Sequence, residues 1–404
     1  MIDVRKRFPM LNNHHGLIYF DNAATTFKPD TVIKRVEDFY CFKTTNIHRG
    51  DYDLSFQLSN EYEKTRSLVA EFLNAEKNKE IVFTSGASEA LNLVAYGYGQ
   101  KFLKAGDIIL TSEAEHASNI LPWFKVAELT KARIEYVELD EFGRFNLESF
   151  KNKLSNKVKV VTLAHVSNVL GYILPMKEIV SLAHEVGAIV VCDGAQSVPH
   201  IKYDVQALDV DFVAFSAHKM YGPSGVGCLY GKYDLLEKMD PFMLGGGSNA
   251  RFDICGNILL KQAPYKFETG TPNIEGILGL GGAIEFINEV GIENIEAYER
   301  DLARYFMDKM LALDNVTVYN PSADCPLIAF NIKGVFAQDA ATYLNKQHIC
   351  VRSGNHCAKV LIEVIKVGET LRASLAIYNT KAEIDAFVNI VKGITLEKTI
   401  EAIL

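Results

Sequence analysis

At 404 residues the chain is too long for one ordinary hydrophobic core, and a hydrophobic fraction of 48% places it among globular proteins. A net charge of −8, with no basic run and no interleaving of basic and aromatic residues, excludes a nucleic-acid-binding surface. No apolar segment follows the basic start Met1-Ile2-Asp3-Val4-Arg5-Lys6-Arg7 and none spans a bilayer, so neither leader nor anchor is expected and the cytoplasm is the expected compartment.

Taken in chain order, the first strong element is an apolar run at 81–84, followed by a tight turn and helical periodicity over 88–98. The N–H groups of Ala87 to Glu89 are then free donors at a helix start. That is a weak phosphate-site signal beside the ordinary reading of Ser88 as an N-cap. A second run, 108–111, ends near His116, which could stack on a cofactor ring and move protons, or simply cap a turn. A third, 158–163, ends near Asn168, which could bond a cofactor's phenolic oxygen or a substrate carboxylate, or form an ordinary turn before Gly171. Helical periodicity returns at 176–185. The run 189–191 then leads to Asp193 and Gln196, and the run 212–215 to Ser216, His218 and Lys219. Strand-helix alternation of this kind predicts an α/β fold, a mostly parallel sheet with helices on both faces and its ligand at the carboxyl ends of the strands. A long helical stretch over 277–313, broken near Gly291, leads out of this part. A strand at 326–332, a helix at 337–347 and a strand at 372–375 predict a smaller α+β domain.

The pair Asp193 and Lys219 carries the chemistry. A lysine delivered by a buried strand is costly to desolvate, which lowers its pKa and makes a usable amine nucleophile. The ordinary alternative is a snorkelling lysine at a strand end. An aspartate one strand-loop unit earlier supplies what pyridoxal 5'-phosphate needs beside its lysine, a carboxylate that keeps the pyridine nitrogen protonated. Seven cysteines with no C-x-x-C pair exclude a disulfide scaffold and a zinc ribbon. They read as mostly buried thiols, with one reactive. Cys192 and Cys228 lie in apolar runs, whereas Cys357 lies among Arg352, Asn355, His356 and Lys359, the electropositive setting that stabilises a thiolate.

From Tyr19-Phe20-Asp21-Asn22-Ala23-Ala24-Thr25 almost to the C-terminus the chain resembles the class V aminotransferase group of fold-type I pyridoxal-phosphate enzymes. More narrowly it resembles the Suf-type, or group II, cysteine desulfurases and selenocysteine lyases. The supporting motifs include Asn46-Ile47-His48-Arg49-Gly50, Asp193-Gly194-Ala195-Gln196, Ser216-Ala217-His218-Lys219, Gly270-Thr271-Pro272 and Arg352-Ser353-Gly354-Asn355-His356-Cys357-Ala358. The resemblance implies a large cofactor domain over 20–284 and a small domain formed by 1–19 with 285–404. It implies that Lys219 binds the cofactor and shuttles the Cα proton, and that Asp193 pairs with the ring nitrogen. Gln196 would meet the phenolic oxygen and His116 would stack on the ring. Ala87, Ser88, Ser216 and His218 would hold the phosphate, with Thr271 from a partner subunit. Arg372, assisted by Asn168, would bind the substrate carboxylate. Cys357 would accept sulfur from L-cysteine, leaving L-alanine, and a protein acceptor of the Suf system would take the sulfur for iron–sulfur cluster assembly. No metal is implied, and a homodimer is. Asn355 stands where a first histidine is common, Lys266 where an arginine is common, Lys359-Val360 where a proline often occurs and Ala87 where a threonine is common. The alternatives are L-selenocysteine cleavage, another class V transaminase or lyase reaction, or a non-catalytic scaffold.

Overall fold

The central sheet has seven strands: β1 (Ile81–Thr84), β2 (Ile108–Ser112), β3 (Arg133–Val137), β4 (Val158–Ala164), β5 (Ile189–Asp193), β6 (Phe212–Ser216) and β7 (Gly227–Gly231). Their spatial order is β1-β7-β6-β5-β4-β2-β3. This computed structural model describes residues 4–48 and 50–403, so Arg49 of the 46–50 motif and the first three residues lie outside the described residues. β7 is antiparallel to both neighbours, β1 and β6, and all other pairs are parallel.

Burial on both faces explains the continuous apolar runs. Every residue of β2, β5, β6 and β7 is buried. Val190, Cys192, Val213 and Cys228 point into one core with Ile277, Leu280 and Ile284. The alternate residues Val191, Ala214 and Leu229 point into a second core with Leu91, Val94 and Trp123. Two strands carry weaker sequence signals. β3 is an edge strand bearing Arg133 and Glu135. β7 is bracketed by glycines because a Cβ on Gly227 would lie 2.5 Å from Gly86 Cα.

The helix expected at 88–98 is α1 (Ala87–Val94) continued by π-helical turns over Ala95–Gly99. α2 (Met176–Glu185) has the bounds expected. The long stretch is two helices, α3 (Ile274–Val290) and α4 (Ile292–Leu311), separated by Gly291 at φ 88°. The N-terminal Val4, Phe8 and Leu11 share the core of α3.

An antiparallel hairpin, β8 (Asn249–Phe252) with β9 (Ile258–Leu260), precedes α3. The last sheet comprises β10 (Val316–Val318), β11 (Leu327–Ile332), β12 (Arg352–Gly354) and β13 (Thr370–Ser374), in antiparallel order β10-β11-β13-β12. Its core gathers Phe20, Phe306, Phe330 and Phe387. The Cys357 turn and the short α5 (Lys359–Val364) connect β12 to β13.

Burial corrects one expectation. Only Cys192, Cys228 and Cys325 are buried, Cys350 is intermediate, and Cys41, Cys255 and Cys357 are all exposed. Cys41 lies in the helical turn that extends the Asp30–Asp38 helix, and Cys255 at the tip of the β8–β9 hairpin. Exposure therefore does not single out Cys357; its surroundings must.

Candidate active site

One cleft of about 260 Å³ lies where the carboxyl ends of β1, β2, β4, β5 and β6 meet the C-terminal sheet. Every predicted site residue except Thr271 lines it. β5 and β6 are parallel neighbours, with Asp193 opposite Ala214, so Asp193 and the Lys219 turn emerge side by side. The floor is formed by strand ends and the roof by Arg352, His356, Cys357 and Arg372.

On the floor, burial pushes Lys219 down to about 8, with Arg372 and Arg352 adding to the shift and Asp193 opposing it. Asp193 Oδ1 accepts from the Ala195 N–H at 3.0 Å. Burial also lowers the pKa of His116, with Lys219 and Arg372 adding to the shift and Asp193 opposing it. His116 does cap its turn, accepting from the Ser118 N–H at 3.1 Å through Nδ1, yet it also lines the cleft. Gln196 donates to the Ala23 carbonyl at 2.8 Å. Burial, Lys219 and Lys28 push His218 down to about 4, so it is neutral at pH 7.

Gly86, the N-cap of α1, has no side chain with which to cap the helix. Around it stand Ser216, whose Oγ accepts from the Ala87 N–H at 2.8 Å, and Ser88, 2.6 Å from Ser118 Oγ. A helix start with a glycine N-cap, ringed by hydroxyls, fits a phosphate. A deep lysine beside a buried carboxylate fits the aldehyde and ring nitrogen of pyridoxal phosphate. The residues present thus fit that group.

In the roof, Arg372 is 3% exposed. Its Nη1 donates to the Asn168 carbonyl at 2.9 Å and its Nη2 reaches Asp21 Oδ1 at 3.3 Å. Its Nε is buried without a partner. Burial brings its pKa down to about 10, against the pull of Asp21. Asp21 also holds Arg352, whose Nε lies 3.2 Å from Oδ2. Asn168 directs its side-chain amide to the His356 carbonyl at 2.9 Å. Burial, with Arg372 and Arg352, pushes His356 down to about 3, and it is neutral.

Thr271 lies in another cavity, of about 480 Å³, with its Oγ1 3.5 Å from Asn46 Nδ2. Asp21, Arg352 and His356 received no individual role from the sequence, although each lies inside a quoted motif. Of the noted departures, Asn355 is exposed outside the cleft lining, and Lys266 donates to the Glu237 and Met239 carbonyls at 2.9 Å.

The class-V aminotransferase family profile matches residues 18–387. A probable cysteine desulfurase of Halalkalibacterium halodurans is 45% identical over 404 residues, covering 99% of this chain and 98% of that protein. The chain belongs to the cysteine desulfurases of the class-V aminotransferase family. A cysteine desulfurase of Escherichia coli O8 is 40% identical over 388 residues, covering 95% of this chain and 96% of its own length. Among solved structures, the E. coli cysteine desulfurase CsdA, in an S-sulfonic acid form, superposes with a TM-score of 0.90 at 37% identity, covering 98% of this chain and 97% of that one. The apo cysteine desulfurase of Thermococcus onnurineus NA1 gives 0.92 at 37% identity, with 96% of each chain covered. These superpositions extend over both the strand-end part and the C-terminal part of the fold.

Proposed function

We propose that this desulfurase converts L-cysteine and the Cys357 thiol to L-alanine and a Cys357 persulfide. The observation that carries this reading is one cleft with Lys219 and Asp193 below and Cys357 and Arg372 above. Pyridoxal phosphate, when bound, supplies the electron sink for charge left at the substrate Cα. Lys219 holds the cofactor through Nζ at rest and moves the Cα proton afterwards. Its depressed pKa leaves a substantial neutral fraction near pH 8. Asp193 would keep a proton on the ring nitrogen of the bound group, and His116 would stand beside the ring. Ser88, Ser216, His218 and the N–H groups following Gly86 would hold the phosphate, and Gln196 would meet the phenolic oxygen. Arg372 takes the substrate carboxylate through its planar fork, in which Nε is still unpartnered. Cys357 attacks the substrate sulfur: one C–S bond breaks, one S–S bond forms, and the proton released from the thiols is returned to carbon.

Three further assignments belong to the same reading. The large cofactor domain and the small domain that carries the Cys357 turn move sulfur in the cytoplasm toward a protein acceptor of the Suf system, for iron–sulfur cluster assembly. L-Selenocysteine is the alternative substrate. A second copy completes the site, since Thr271 lies outside the cleft of its own chain. Among the described residues no helix is long and apolar enough to cross a membrane.

Alanine release from L-cysteine by the holoenzyme tests the activity. Stoichiometric alanine with sulfur retained on protein until a thiol or carrier is added is expected. Release of pyruvate and ammonia, or keto-acid-dependent transamination without sulfur transfer, would replace the reading by another class V reaction.

A further inference from the structure

The turn that presents Cys357 is tied to the opposite wall of the cleft. His356 and Cys357 both adopt left-handed backbone conformations, at φ 50° and 56°. Residues with a Cβ avoid that region, and such conformations persist only where their surroundings over-determine them. Two donors act on this turn. The His356 carbonyl accepts from Asn168 Nδ2 at 2.9 Å, and the Cys357 carbonyl accepts from the Ala117 N–H at 2.7 Å. Asn168 follows β4, and Ala117 follows His116 at the end of β2. A third bond runs from His356 Nε2 to Thr370 Oγ1 at 2.9 Å, but it ties the turn to its own sheet. Among the described residues, the first two are the hydrogen bonds that join the Cys357 turn to the cofactor side of the cleft.

We infer that Asn168 and the Ala117 N–H are positioning groups for Cys357, setting its sulfur over the substrate sulfur. The inference rests on the desulfurase reading for its consequence, but the tether itself can be read without turnover. Asn168 has a double part: its carbonyl holds Arg372 while its amide holds the turn. The substrate-carboxylate anchor and the nucleophile are thereby referenced to one residue. Sulfur transfer needs that registration, because a misplacement of about 1 Å between reacting groups can cost about a hundredfold in rate.

Ala117 allows a clean test. It is the first residue of the short Ala117–Asn119 turn, and the preceding His116 is extended at φ −66°, ψ 146°. Proline suits both conditions, since a first helical position tolerates the missing N–H and an extended residue tolerates a following proline. Ala117→Pro removes the donor and places a ring carbon against the Cys357 carbonyl, whereas Ala117→Gly keeps the donor. With L-cysteine and the holoenzyme, kcat for alanine formation should be at least about tenfold lower in the proline variant than in the glycine variant. KM should differ by less than about threefold, and the cofactor's visible absorbance should be unchanged. In the resting holoenzyme, hydrogen exchange over 358–365 should quicken about tenfold in Ala117→Pro and in Asn168→Asp, which replaces the donating amide with an oxygen. Support requires both results. Equal kcat in the proline and glycine variants overturns the inference even if exchange quickens, and wild-type exchange overturns it whatever the rate does. If Ala117→Pro does not fold, Asn168→Asp carries the exchange readout, which then decides alone: quickened exchange supports the tether and wild-type exchange overturns it. A wild-type enzyme that forms no alanine would sink the desulfurase reading instead, and the exchange comparison would still decide the tether.

Discussion

The floor and the roof of the cleft are built on different principles. The floor is a row of strand ends in a sheet buried on both faces, and its side chains are set by register: Asp193 faces Ala214 across a parallel pair, and Lys219 follows three residues after β6. The roof is a turn between two antiparallel strands. Two successive residues in it are left-handed, and the buried His356 Nδ1 and Arg372 Nε have no partner. The floor suits a bound ring that must not move, because rigid elements hold a reacting geometry best. The roof suits a reacting sulfur on a turn that is tied to the floor by two hydrogen bonds, from Asn168 Nδ2 to the His356 carbonyl and from the Ala117 N–H to the Cys357 carbonyl.

The largest effect separating the two should come from Lys219→Ala. Turnover should fall by at least about a thousandfold, and the visible absorbance of lysine-bound cofactor should disappear, while Cys357 keeps its wild-type alkylation rate. Alanine production at the wild-type rate would break the assignment of floor and roof to separate tasks. Arg372→Lys probes the roof alone. Losing the planar fork should raise KM for cysteine by about tenfold to a hundredfold and leave the cofactor spectrum unchanged. An unchanged KM would move the carboxylate site elsewhere.

Two pH effects are smaller. Burial lowers Lys219 from 10.5 to about 8, so its neutral amine dominates above pH 8. Capture of pyridoxal phosphate by the apoprotein should accordingly rise through a midpoint near pH 8; a midpoint near the ordinary lysine value would mean that the amine is well solvated. Glu115 lies behind the floor, accepting from Ser112 Oγ at 2.6 Å, Asn119 Nδ2 at 2.7 Å and the Ala164 N–H at 2.8 Å. Burial raises its pKa from 4.5 to about 7. A raised folded-state value means that its contribution to stability is present below pH 4.5 and is lost as pH rises through about 7. Glu115→Gln should flatten that part of the Tm-against-pH curve, by a few degrees at most. An unaltered slope would show that Glu115 ionises as freely folded as unfolded.

The floor was legible in the sequence because buried parallel strands write continuous apolar runs and the chemistry begins where each run stops. β3 escaped that reading because an edge strand carries Arg133 and Glu135, and β7 because glycines flank its short core. In the roof, Cys357 was legible from its basic neighbours, but the part of Arg372 came only through family resemblance. The roof's ties join Asp21 to Arg352 and Arg372, 331 and 351 residues away, and no local periodicity encodes contacts of that span. The Ala117–Cys357 bond is a backbone contact and leaves no side-chain signature at all. Cysteine exposure was misjudged for a related reason, since Cys41 and Cys255 lie on surface turns that a search for apolar runs passes over.

The division of labour meets its most direct test in mass spectrometry of the holoenzyme after brief treatment with L-cysteine, without carrier or reductant. One added sulfur on the peptide containing Cys357 is the predicted result, lost in Cys357→Ser together with cysteine desulfuration, while the visible spectrum of the bound cofactor persists. Sulfur found instead on Cys192 or Cys228, or undiminished alanine formation by the serine variant, would contradict the account.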